Sequence, residues 1–202
     1  MKELGVERII APAACGSLQG EIPPGTFVLS DQFVDRTFGR DFTFYHGPVA
    51  VHISCEEPYC PRMREICTEV AETLDIDCVN GGTAVVIQGP RFSTKAESNW
   101  FHSMGWAVVN MTQYPEVVLA RELGMCYMNI SLVTDWDVWI AGQTGIKTVT
   151  AEEVGRVFME NNENLLRLLE EMLPAISEDR TCDCAAMLDQ AVISPLVLEE
   201  EL

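Results

Sequence analysis

Cys126-Tyr127-Met128-Asn129-Ile130-Ser131-Leu132-Val133-Thr134-Asp135-Trp136-Asp137 is the stretch on which the reading of this chain turns. From Cys126 to Thr134 it is nearly all apolar. It therefore predicts a strand with both faces covered, and such strands belong to parallel or mixed sheets carrying helices on their two faces. Its end has the opposite character. Two acids, Asp135 and Asp137, follow directly on the apolar run, and carboxylates are costly to bury without partners. Partial burial raises a carboxyl pKa, and an acid that keeps its proton can serve as a general acid. A loop-capping aspartate is the plainer alternative, and the stretch alone leaves both open.

Working outward, strands and helices alternate. Toward the N-terminus, Pro115 opens a helix that Gly124 ends, and Trp106 to Met111 reads as a strand. Lys95 to Met104 is a short helix closed by Gly105, and Cys78 to Gln88 is a strand region. Pro61 opens a helix with Met63, Ile66, Cys67, Val70, Ala71 and Leu74 on one face. Val49 to Ile53 predicts a short strand, residues 32–47 a loop, and Thr26 to Asp31 a strand. Arg8 to Ser17 predicts a buried strand running into a small-residue turn. Toward the C-terminus, Thr150 and Glu153 form a capping box. The helix they start buries Val154, Val157, Phe158, Leu165, Leu168, Leu169 and Met172; one short helix and a tail over 190–202 follow. With no repeat and no linker, residues 1–202 are expected to form one α/β domain, a mixed sheet flanked by helices.

The formal net charge of −18 argues against nucleic acid or an anionic membrane as partner, since either needs a positive face. No apolar run reaches the roughly 18 residues of a membrane span. Met1-Lys2-Glu3-Leu4-Gly5 is not a secretory signal; it reads as the last turn of a helix stopped by Gly5, and the chain is expected to be cytoplasmic. Of eight cysteines, Cys15, Cys55, Cys60, Cys67, Cys78 and Cys126 lack metal-type spacing and read mainly as small core residues. Cys182 and Cys184 form a C-x-C pair, open to a redox or disulfide reading and less to zinc. No metal site and no cofactor are assigned.

Three other segments can carry chemistry. Small residues at Ala13-Ala14-Cys15-Gly16-Ser17 allow close approach of a ligand to the backbone, whose N–H groups can hold an anion; they also simply pack turns. Asn110-Met111-Thr112 places a hydroxyl just before a helix, which suits phosphate or a plain helix cap. Gly89-Pro90-Arg91-Phe92-Ser93 ends a strand with an aromatic ring and a hydroxyl, the ring being able to stack on a flat base or to pack as core.

Together and in this order, these segments resemble the trimeric purine nucleoside phosphorylases, in their 5′-methylthioadenosine phosphorylase branch. The carriers are Ala14-Cys15-Gly16-Ser17-Leu18, Gly89-Pro90-Arg91-Phe92-Ser93 with Ala96-Glu97-Ser98, Asn110-Met111-Thr112 with Pro115-Glu116, and Thr134-Asp135-Trp136-Asp137. Similarity runs from Lys2 to about Pro195. The resemblance implies that inorganic phosphate, as co-substrate, attacks C1′ of the ribose while the purine leaves, and that Asp135 protonates the base. It places Ala13, Ala14 and Thr112 at the phosphate, Met111 under the ribose, Phe92 near the base, and Ser93, Asp135, Trp136 and Asp137 around it. The 6-oxopurine enzymes carry Glu after the Phe and Asn at the start of the acidic loop. Ser93 and Asp135 stand there instead, and an acid accepts from a 6-amino group, so adenine is expected to be favoured. Ala151 and Val154 match positions lining a 5′-methylthio pocket. His52 matches a histidine that reaches into a neighbouring subunit of a homotrimer.

The resemblance also implies a preceding strand, a Gly-rich loop bearing Ser or Thr, and an Arg-His pair. These residues do not contain them, so the chain is expected to lack the front of the fold and part of its phosphate site. Phosphorolysis of 5′-methylthioadenosine in purine and methionine salvage is the leading expectation. Action on adenosine, inosine or methylthioinosine, and a non-catalytic nucleoside-binding fragment, are the alternatives.

Overall fold

The computed structural model describes residues 1–140 and 151–192. In chain order the strands are β1 (Arg8–Ser17), β2 (Phe27–Leu29), β3 (Gln32–Arg36), β4 (Cys78–Asn80), β5 (Thr83–Ile87), β6 (Val108–Asn110) and β7 (Cys126–Trp136). The helices are α1 (Pro61–Thr73), α2 (Lys95–Ser103), α3 (Gln113–Glu122) and α4 (Ala151–Ala175). One mixed sheet has the order β3-β5-β6-β1-β7-β2-β4. Its spine is the parallel pair β1 and β7, paired from Arg8 opposite Cys126 to Ser17 opposite Trp136 with one register shift between Cys15 and Gly16. The expected α/β class, a mixed sheet with flanking helices, is what forms.

The apolar run of β7 is covered on both sides. Cys126, Met128, Ile130 and Leu132 pack with α1 (Met63, Ile66, Cys67, Ala71) and α4 (Leu165, Leu168, Met172). Tyr127, on the opposite face, packs with Tyr59, Val117 and Ala120. The polar residues of the strand are satisfied on that second face. Buried Gln113 donates to Asn129 Oδ1 (2.8 Å) and Ser131 Oγ (3.0 Å) and accepts from the Tyr59 hydroxyl, while Asn129 Nδ2 donates to the Ala11 carbonyl (2.7 Å). On the helical side, Asn161 of α4 donates to the Val133 carbonyl (3.0 Å). Asn129 and Ser131 of this doubly covered strand thus stand where partners reach them.

Several boundaries differ from expectation. The strand region at Cys78 to Gln88 is two strands, because Gly81 (φ 120°) and Gly82 (φ 107°) turn the chain. The Gly82 N–H donates to Asp31 Oδ1 at 3.0 Å, which fixes the break. Residues 32–36, expected as loop, form β3: an edge strand paired on one side only, with β5, so its polar residues face water. The strand expected at Val49 to Ile53 is reduced to one bridge, Val51 to Val192. Residues 11–17 are strand rather than turn, since β7 pairs with them along their length. They are also less buried than expected up to Ala14, because that half of β1 borders a cavity. Gly5 does stop a helical turn, a 3-10 turn at Lys2–Leu4. Thr150 and residues 193–202 lie outside the described residues, as do the side chains of Ala151 and Glu153.

Candidate active site

β6 runs antiparallel to β1 and pairs with it only at Gly16 and Ser17. Beyond those two residues β1 has no partner on this side, and a cavity of about 950 Å³ opens between the strands. It is bordered by Ala13, Ala14 and Gly16 of β1, by Asn110, Met111 and Thr112 at the end of β6, and by Thr134, Asp135 and Asp137 at the end of β7. Phe92 and Ser93 after β5, and Val154 and Phe158 of α4, complete that end. Five separate segments therefore bring nearly all the expected site residues to one place. Two do not line it. Trp136 points away, as alternation along a strand requires when its neighbours Asp135 and Asp137 point in. Exposed His52 lies outside the cavity, its backbone N–H donating to the Ala191 carbonyl (2.9 Å). The side chain of Ala151 is outside the described residues.

The polar groups at this end are under-used by the protein itself. Ser93 Oγ, both amide atoms of Asn110, and Asp137 Oδ2 are buried without a hydrogen-bond partner. Buried polar atoms are nearly always paired, and exceptions clustered in one cavity mark a place where a ligand supplies the partners. The sequence alone does not mark Asn110 as a site residue. An Asn at a strand end is ordinary, and only the loss of β6–β1 pairing leaves its amide facing the gap. Phe158 is the reverse case: expected on the buried side of α4, it is 38 % exposed and borders the cavity one turn after Val154. Phe92 also shows its ring, at 60 % exposure. Thr112 sits at the N-cap of α3, yet its hydroxyl makes no capping bond, so the plain capping role does not account for it.

Asp135 has the environment expected of a general acid. Burial is the main influence raising its carboxyl from 3.8 to about 6; the Thr134 hydroxyl, donating at 2.8 Å, opposes that rise, and the nearby charge of Asp137 adds to it. The pinch between the two acids and β1 needs glycine. A Cβ on Gly16 would meet Asp135 Oδ2, Asp137 Cβ and Val109 Cγ1, each at 3.2 Å. Just beyond, Trp139 stacks on His102 with centroids 4.0 Å apart, its indole N–H donating to the Ser17 carbonyl (2.9 Å) and its backbone N–H to Ser98 Oγ (2.9 Å). These contacts seat the acidic loop against α2.

A mixed sheet with an acid-lined cavity at the ends of its central strands defines a ligand-binding α/β protein. A family model described as the phosphorylase superfamily matches residues 1–174, and the chain belongs to that family. It is 50 % identical over 193 residues to the S-methyl-5′-thioadenosine phosphorylase of Thermofilum pendens, covering 96 % of this chain and 72 % of the relative. With the enzyme of that name from Pyrococcus horikoshii it shares 50 % identity over 188 residues, 93 % of this chain and 71 % of the relative. Among solved structures, methylthioadenosine phosphorylase from Schistosoma mansoni in complex with adenine superposes with a TM-score of 0.87 at 35 % identity, over 95 % of this chain and 75 % of that one.

Proposed function

We propose that this chain is a pentosyltransferase that splits 5′-methylthioadenosine with inorganic phosphate into adenine and 5-methylthioribose 1-phosphate. The observation that carries the reading is the cluster of unpartnered buried polar atoms, Ser93 Oγ, the Asn110 amide and Asp137 Oδ2, set around an acid whose pKa is lifted toward neutrality. As C1′ develops positive charge, the departing purine becomes electron-rich. Protonated Asp135 donates to it and removes the charge from the leaving group. Ser93 and Asp137 bind the rest of the base edge, with the exposed ring of Phe92 against its face. Met111 supports the ribose. Thr112, with Ala13 and Ala14 on the unpaired edge of β1, holds phosphate. Ala151 and Val154 receive the 5′ group. Exposed His52 completes the site of a neighbouring subunit in a homotrimer, and the enzyme works in the cytoplasm on free nucleoside, without a further cofactor.

The test is phosphate-dependent release of adenine from 5′-methylthioadenosine, compared with adenosine and inosine under the same conditions. Phosphorolysis with 5′-methylthioadenosine well ahead of inosine is expected. A preference for inosine would refute the roles given to Ser93 and Asp135. Binding of adenine by calorimetry without any phosphorolysis would leave a nucleoside-binding protein instead.

A further inference from the structure

Far from this cavity, the fold gathers four cysteines that the sequence scatters. Cys60 is the residue before α1, Cys126 the first residue of β7, and Cys182 and Cys184 flank Asp183 at the 3-10 turn Asp183–Ala185. Their sulfur atoms all lie within 4.8 Å of one another, and Cys126 and Cys182 approach to 3.4 Å. Four thiolates around a tetrahedral zinc ion, each ~2.3 Å from the metal, stand about 3.8 Å apart. The observed spread therefore matches one ion bound by all four. A multinuclear iron–sulfur cluster needs a wider cage.

Apolar packing does not require this arrangement. Three of the four, Cys60, Cys126 and Cys184, are buried in the core against Met63, Ile66 and Leu168, where a valine or alanine fills space as well as a thiol. Donor groups stand beside the sulfurs. The Arg180 side chain reaches Cys126 while donating to the Gly124 carbonyl (2.9 Å), so a guanidinium stands beside the sulfurs. The Met63 N–H, in the first turn of α1, points at Cys60. Such outer partners orient ligands and offset the charge of a tetrathiolate. Half-buried Cys182 borders surface clefts on both sides of the cluster, which gives an ion a way in.

We infer that Cys60, Cys126, Cys182 and Cys184 form a structural zinc site. Zinc binding displaces the four thiol protons to give a Zn(Cys)₄ centre with a formal charge of −2, and no redox step is involved. All four positions are filled by protein, so the site is closed and has no catalytic water. It ties the segment after α4 to the start of β7 and to the head of α1. The sequence points away from this reading because the one-residue gap of Cys182-x-Cys184 is shorter than the usual two to four. Cys60 and Cys126 reach the pair only through the fold. The site stands roughly 30 Å from Asp135, nine strand residues along β7 at ~3.3 Å each, so it is independent of the proposed reaction.

The experiment is metal analysis of the protein isolated under reducing, anaerobic conditions, with cobalt(II) substitution of the same protein. About one zinc per chain is expected, with the visible bands and sulfur-to-cobalt charge transfer of a tetrahedral tetrathiolate. Cys182→Ser and Cys184→Ser should each lose the metal and lower the melting temperature while leaving kcat/KM for the nucleoside unchanged. Reduced protein that takes up neither zinc nor cobalt and presents four freely reactive thiols overturns the inference. So does isolated protein whose four cysteines are paired as disulfides without metal, or that holds iron in place of zinc. If a variant does not fold, the wild-type zinc content and cobalt spectrum still decide.

Discussion

At the scale of residues, Asp135 links two measurable properties. Burial lifts its carboxyl from the ordinary 3.8 to about 6 in the folded chain. The ionised form is thus disfavoured by folding. The stability that the group contributes is whole below about pH 4 and is lost as pH rises through about 6, leaving a cost of roughly 3 kcal/mol at neutral pH. Asp135→Asn should therefore raise the melting temperature at pH 8, with little change near pH 4, as thermal unfolding at the two pH values will show. The same variant should lose at least ~10²-fold in kcat, the range of a removed general acid. In the wild type, kcat/KM for the nucleoside should fall above about pH 6. That limb should be missing from the Asn variant; if it persists there, another group is the acid. Most of this site was readable from the sequence, because the acids, Ser93 and Thr112 stand at element ends where side chains are free to meet a ligand. Asn110 was not, since its exposure to the cavity depends on where β6 stops pairing with β1, which is a property of register and not of local composition.

At the scale of elements, β7 organises the molecule. Its apolar side packs against α1 and α4, while on its other face Asn129 and Ser131 accept from Gln113, which in turn accepts from Tyr59. Removing one member of a buried polar network leaves the others unpaired, at roughly 1–3 kcal/mol for each orphaned group. Gln113→Ala should accordingly destabilise the fold more than Leu165→Val on the apolar side, measured by denaturant unfolding. The long elements were legible in the sequence because their periodicity is sustained: the buried positions of α1 and the run of β7 follow the expected pattern. The short ones were not. β3 is polar because it lies at an edge, and the break between β4 and β5 rests on Gly81 and Gly82 meeting Asp31 from a distant loop. Each of these depends on a partner far away in the chain.

At the scale of the whole molecule, charge is the dominant feature. A net charge of −18 repels a phosphate dianion approaching the cavity. Among the described residues, Lys2 is the only cationic side chain that borders the cavity. Raising salt from ~0.01 to ~0.1 M shortens the screening length from ~30 to ~10 Å. The apparent KM for phosphate should then fall, while that for the uncharged nucleoside stays nearly constant, a contrast steady-state kinetics can read directly. A rise in KM for phosphate with salt would point instead to a local cationic contact outweighing the global field.

The seat of the acidic loop on α2 gives the molecule a built-in optical reporter. Trp139 lies two residues from Asp137, with its ring face on His102 and its indole N–H committed to Ser17. An imidazole lying face to face on an indole at 4.0 Å is placed to govern how long the excited ring survives. A base bound at Asp137, as proposed above, is expected to shift the backbone that carries Trp139 and so to change its emission. In a protein keeping Trp139 as its sole tryptophan, adenine can be titrated by fluorescence alone, with neither phosphate nor turnover needed to see it arrive.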